Sequence, residues 1–397
     1  MPIEEPRAAE TGFSFASLAA TLSHRVVVEH PPHTVTVTEP ARRDAHPKHH
    51  GCVDATFTVR DDLPVELRRG VFQPGASYPA LIRFSNAFKV RHDLQLDARG
   101  MAIKLLCVTG ERVKLPILDG KTPDMLPEEA LTQDFLLVTH SEFFSRTAAE
   151  FVKIVSSIIK TGASPTLALT FISLRPPRIA WRNILALIMT MRWTSNPLYL
   201  KYFSQTPYQM GDIEGAPGRP QAAKFGVRPL QSPSLAGRLA FTLRVAWYLF
   251  ASKFSDMKKS ENRLRESLRR YLATREATFE FCVQLRTDPD QMPLDDATRR
   301  WSKKASPYVA VATIRIHQAR GYADPEGGGD AKFVEDRLRL GERLSYTPWH
   351  ALEAHRPLGS INAARAFVYA TVSRTRSGLN GTNAHVPPTP CPGIPHP

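Results

Sequence analysis

Two stretches of strict alternation constrain this chain more than anything else in it. Val53, Ala55, Phe57 and Val59 alternate with polar residues, and Phe279, Phe281, Val283 and Leu285 repeat the pattern more than two hundred residues later. A period of two marks a strand with one face in a core. Short β-rich runs at 80–85, 101–107 and 309–316 extend the same sheet. A sheet begun near residue 51 and resumed near residue 277 must be completed across the intervening chain, and an antiparallel β-barrel that closes after an insertion does this. Residues 128–275 read as mostly helical, with Leu264, Leu268 and Leu272 recurring every four residues on an otherwise charged segment. That spacing predicts an amphipathic surface helix. The expected class is α+β.

Residues 1–40 mix proline, histidine and short β-branched runs, which suits an extended N-terminal arm able to bridge copies in a homo-oligomer. Residues 41–380 form the expected core, and the Pro-rich segment 381–397 reads as a disordered tail. A net charge of +14 invites nucleic acid or an anionic surface as partner. The basic residues are diffuse, however, with no zinc-finger spacing or aromatic RNA-binding signature, so nucleic acid is not expected. Four widely spaced cysteines form no C-x-x-C pair and read as reduced thiols. The first ten residues carry acidic side chains and no apolar core of a secretory signal, which makes the cytoplasm the expected location. The apolar runs at 167–174, 184–191 and 239–250 are too short to span a bilayer, yet they suit either core helices or a peripheral membrane contact.

The segment 361–376 has no proline or glycine and predicts one helix, stopped by Gly378 and Gly381. Within it Arg365, Tyr369 and Arg376 fall within about 40° on one face, so a single flat ligand can meet all three. A phenol is a poor metal ligand, but a guanidinium one turn away favours the phenolate. A phenolate in turn stabilises ferric iron over ferrous. An ordinary amphipathic helix with a half-buried tyrosine would show the same three residues.

The segment Arg365-Ala-Phe-Val-Tyr369, followed by Arg376 and Gly378, resembles the proximal haem helix of catalases. Upstream, Arg43-Asp-Ala-His46-Pro-Lys48 is similar to the segment that presents the distal histidine in that family. Arg83-Phe84-Ser85, Asp97-Ala-Arg99-Gly100-Met-Ala-Ile-Lys104 and Asp295 to Trp301 with Pro307 look like further catalase elements, in the family's order. The resemblance spans roughly residues 40–380, loosely over 145–275. It implies a catalase-core barrel binding haem b, with Tyr369 as the axial ligand of the iron and Arg365 as its phenolate partner. Arg43, Arg83 and Arg376 would neutralise the propionates. His46 would be the distal acid/base, supported by the Ser85 hydroxyl, breaking the O–O bond heterolytically.

The chain also departs from that pattern. Thr132, before Gln133-Asp134-Phe135, aligns with the distal asparagine, and Ser373 stands where catalases commonly have histidine. The reading is therefore a haem oxidoreductase of catalase or peroxidase type, acting on hydrogen peroxide in oxidative stress. A fatty-acid hydroperoxide isomerase, lyase or peroxidase on the same fold is the alternative, and a basic binding protein with a relic site is a third. His46-x-x-His49-His50 leaves a zinc or nickel site, or solvated surface histidines, open as well, although Pro47 and Gly51 oppose the helix that would align them.

Overall fold

The computed structural model describes residues 15–36, 40–43, 45–87, 90, 92–116, 131–152, 191–213, 216–251, 262–322 and 330–381. Its centre is a closed antiparallel barrel of eight strands: β1 (Lys48–Val59), β2 (Ser77–Asn86), β3 (Asp97–Leu105), β4 (Gln133–Val138), β6 (Tyr202–Phe203), β8 (Ala216–Pro229), β9 (Ala277–Leu285) and β10 (Val309–Ile316). Around the ring the order is β2-β1-β10-β9-β8-β6-β4-β3, closed by β2 pairing with β3. Two further strands lie off the ring, β5 (Met191–Arg192) on β3 and β7 (Tyr208–Ile213) on β8.

The alternation has the expected physical cause. Phe57 of β1, Phe135 of β4, Phe225 of β8 and Phe281 of β9 all point inward and are fully or almost fully buried. Phe57 meets Phe281 edge-on with ring centroids 5.2 Å apart, and Phe135 meets Phe225 edge-on at 5.0 Å. Each such side chain contributes about 1.5–3 kcal/mol of burial. Alternation then forces the neighbours outward. On β2, Ile82 and Phe84 enter this core, so Arg83 and Ser85 stand on the barrel's outer wall, and the candidate site is built there.

Helices cover that wall. The predicted amphipathic helix is α3 (Arg263–Thr274), with Leu264, Leu268 and Leu272 buried. Gly51 admits it to the sheet, because a Cβ there would sit 2.7 Å from Leu268. The predicted C-terminal helix is α5 (Ser360–Leu379), longer than expected at both ends and followed by Gly381 in the left-handed region at φ 62°. Helix α4 (Ala331–Arg343) packs on β1, and α2 (Leu235–Ala251) precedes α3.

Three expectations need correction. The 1–40 segment is not simply an extended arm: residues Phe15–Glu29 form helix α1, which lies against α5. Ala19, Leu22 and Val26, spaced three and four apart, supply its buried face. The insertion is less helical than predicted, since 133–138 and much of 191–229 are strands, too short or too glycine- and proline-interrupted to show a clean period. Cys107 is disulfide-bonded, whereas Cys52 and Cys282 are the buried free thiols that the sequence suggested. The apolar runs at 167–174 and 184–190, and the tail beyond 381, lie outside the described residues. Among the described residues no helix is long and apolar enough to cross a membrane.

One buried histidine ties the fold to pH. His355 accepts a hydrogen bond from the Val71 amide at 3.1 Å and sits edge-on to Phe72 at 4.9 Å. Burial pushes its pKa down to about 4. Above pH 6.5 it is neutral in both folded and unfolded chains and costs nothing. As pH falls toward 4 the unfolded chain binds a proton that the native site refuses, so stability drops by about 3 kcal/mol from this group. His355→Gln keeps an acceptor and cannot titrate there. Its denaturant midpoint is expected to fall less between pH 6.5 and 4.5 than the parent's; equal losses would show that His355 is not the sensitive group.

Candidate functional site

His46 precedes β1 with its backbone in the left-handed region, φ 60°, which is uncommon for a residue with a side chain. Both of its backbone groups are held. Its amide donates to the Ala87 carbonyl at 3.0 Å, and Arg83 donates to its carbonyl at 3.1 Å. The imidazole lies on Ser85, with Nδ1 3.0 Å from the hydroxyl. Gly100, paired with Ser85 across β2 and β3, makes room for the ring: a Cβ there would fall 2.6 Å from Nδ1. Burial, then the positive charges of Arg83, Arg365 and Arg43, push the His46 pKa down to about 3. The ring is therefore neutral through the physiological range. The same causes show that three arginines from three parts of the chain surround it.

Arg83 and Arg43 share one carboxylate that the sequence did not announce. Arg83 donates to Glu342 Oε1 at 2.7 Å, and Arg43 reaches Glu342 Oε2 at 3.4 Å and the Gly341 carbonyl at 2.8 Å. Arg43 also donates to the Leu344 carbonyl, which Arg376 reaches at 3.1 Å. Burial alone would raise the Glu342 carboxyl. The charges of Arg83 and Arg43, with Arg376 behind them, outweigh it and hold the pKa at about 2. Glu342 stands here because Gly341 lets α4 come against β1, where a Cβ would strike His49 at 2.2 Å. A single glutamate near the end of an amphipathic helix carries no signature of its own, which is why only the structure reveals it.

On α5, the Arg365 guanidinium stacks 5.1 Å from the centre of the Tyr369 ring. It also donates to Asn362 Oδ1 at 3.1 Å. Burial would lower the Arg365 pKa, but Tyr369 and Tyr208 hold it above its ordinary value. The spacing that predicted a guanidinium beside the phenol is thus present as a contact. Ser373 accepts from Arg376 at 3.5 Å.

The structure gathers His46, Ser85, Arg43, Arg83 and Arg376 around one region of the outer wall, with Arg365 close enough to act on His46 and Tyr369 beneath Arg365. It does not bring Thr132 there. Gly100, beside His46, pairs with Val138 at one end of β4, whereas Thr132 precedes Gln133, the partner of Leu105, at the other end. Thr132 is six residues of chain from Val138, about 20 Å when extended. Thr132 instead takes a 3.5 Å bond from Lys104. The histidine cluster also separates: His50 bonds Asn86 at 2.7 Å, His49 faces Glu342 at 3.5 Å, and no metal-binding group of three ligands occurs among the described residues.

Known sequence families give no match to the chain, and no curated protein matches it in sequence. Comparison of folds is decisive. A fungal catalase superposes with a TM-score of 0.60 at 15% identity, over 96% of this chain and 68% of that one. The fold is that of the catalases. A bacterial catalase gives 0.60 at 16% identity, covering 96% and 65%, and catalase A from Saccharomyces cerevisiae gives 0.58 at 16%, covering 95% and 68%. The chain thus spans about two thirds of each of these catalases.

The residues present fit a haem. Three guanidinium charges against one carboxylate leave two in excess, matching two propionates. Arg83 Nε is a buried donor with no hydrogen-bond partner among the described residues, as expected where an acceptor is to be bound. Tyr369, with the Arg365 guanidinium over its ring, would offer the phenol oxygen as a donor to ferric iron.

Proposed function

We propose that this catalase-fold protein is a haem-dependent, peroxide-metabolising oxidoreductase. The observation that carries the reading is a neutral, backbone-strained His46, fixed by Ser85, surrounded by the Arg43, Arg83 and Arg365 charges. Tyr369 would be the axial ligand, with Arg365 stacked 5.1 Å from its ring, and Arg43, Arg83 and Arg376 would hold the propionates. Bound ferric haem would supply the iron that polarises the peroxide O–O bond. His46 does the proton work. With Nδ1 on Ser85, its Nε2 takes the proton from the inner oxygen of a peroxide and returns it to the departing oxygen, which leaves as water or as an alcohol. A histidine that stayed protonated could not begin this transfer, and a pKa of about 3 keeps it ready.

The test begins with colour. Produced with haem, the parent protein is expected to show a high-spin ferric spectrum of tyrosinate type, and Tyr369→Phe to lose it. A parent that stays colourless with haem supplied would make the site a relic. A basic excess of +14 suits an acidic, fatty-acid hydroperoxide as well as hydrogen peroxide. Parallel turnover of the two decides the substrate, and brisk oxygen release from hydrogen peroxide beside no turnover of lipid hydroperoxide would dismiss the second.

A further inference from the structure

Helix α2 presents its apolar side outward. Leu235, Leu239, Leu243 and Trp247 are 84%, 61%, 62% and 62% exposed, and they recur every four residues. At 100° per residue they form a stripe about 120° wide. Phe241 lies directly opposite, with Arg263 of α3 stacked 5.9 Å from its ring, and Val245, within about 40° of Phe241, is buried. The helix thus rests on the protein by Phe241 and Val245 and turns the three leucines outward. Arg238 and Arg244 flank the stripe, one on each side, and 235–251 contains no acidic residue.

We propose that this face docks the protein on an anionic lipid bilayer, with α2 lying in the interface. The charge argues for lipid over a second copy of the chain. Acidic headgroups would pair with Arg238 and Arg244, on a chain whose net charge is +14, whereas a copy of the same face would set those arginines against each other. The area agrees, because four side chains offer well below the ~800 Å² per partner of a stable dimer. Trp247 ends the stripe with a ring suited to the headgroup level. At 17 residues with two internal arginines, the helix is one that lies on a membrane and does not cross it. The docking is independent of the haem chemistry.

Co-flotation of the full-length protein with vesicles reads it directly. The parent is expected to float with vesicles of phosphatidylcholine and phosphatidylserine in equal parts, and less with phosphatidylcholine alone or in high salt. Leu239→Glu with Leu243→Glu should weaken binding about tenfold or more, since two exposed leucines lose their apolar burial. Arg238→Gln with Arg244→Gln should weaken binding to the acidic vesicles while leaving the weak binding to neutral ones. These side chains are exposed, so matched thermal melts are expected to show all variants folded. No flotation of the parent with acidic vesicles, or undiminished flotation of the leucine variant, would overturn the proposal. So would a parent oligomer that the leucine variant dissociates in ultracentrifugation, because a second copy would then cover the face.

Discussion

Asp134→Ala is expected to lower the stability of the fold by about 3–5 kcal/mol, the cost of leaving a buried charge without its partner. Lys104 and Asp134 are both fully buried on neighbouring strands, with Nζ 2.8 Å from Oδ1. His350 Nδ1 lies 2.8 Å from Asp134 Oδ2, and the Thr347 amide donates to the same oxygen at 3.1 Å. Burial would raise the Asp134 carboxyl; Lys104 and His350 overcome that and bring it below its ordinary value. Truncation strands the ammonium in the wall, whereas Lys104→Met with Asp134→Leu removes both charges and should recover much of the loss. Urea unfolding of the three variants measures this. A loss below about 1 kcal/mol for Asp134→Ala would mean that water replaces the carboxylate. The triad also reaches the site, because it fastens Thr347 and His350 in the connection between Glu342 and α5, and Lys104 stands 5.4 Å over the ring of Tyr346 that Arg43 covers from 5.6 Å.

What could be read in the sequence was what repeats locally. Val53 to Val59 and Phe279 to Leu285 declared strands because alternation is imposed by one wet and one dry face, and those faces are the barrel's wall and core. Arg365 and Tyr369 could be placed together because four residues make one helical turn. Long-range partnership has no such period. Glu342 among Arg43 and Arg83, or Asp134 with Lys104 and His350, join parts of the chain that only the closed barrel brings near. The position of Thr132 relative to His46 was hidden for a related reason. Alignment fixes order along β4 but not which end of the strand faces His46, and the β3–β4 register sets that. Helix α1 escaped because only its buried side repeats: Ala19, Leu22 and Val26 sit on α5, while prolines and histidines beyond Glu29 give the region an extended look.

The second large effect belongs to His46. In haem-loaded protein, His46→Ala is expected to cut peroxide consumption by about 10²–10⁴-fold, the ordinary contribution of a positioned acid/base, while the resting visible spectrum stays as in the parent. Ser85→Ala should cost less, because it removes the 3.0 Å bond that orients the ring and leaves the ring itself. The pH profile separates these roles. With a pKa of about 3, the parent's His46 takes no proton between pH 5 and 9, so this group predicts a rate independent of pH there, falling only as the ring protonates in strong acid. Without Ser85, loss of orientation lowers the rate at every pH and leaves the shape unchanged. Since the charges of Arg83, Arg365 and Arg43 act to depress the pKa, Arg83→Gln should move the acid limb toward neutral pH, a readout that merely structural damage would not produce. If His46→Ala consumes peroxide as fast as the parent, the proton is handled elsewhere, and the strained backbone at φ 60° serves only to turn the chain into β1.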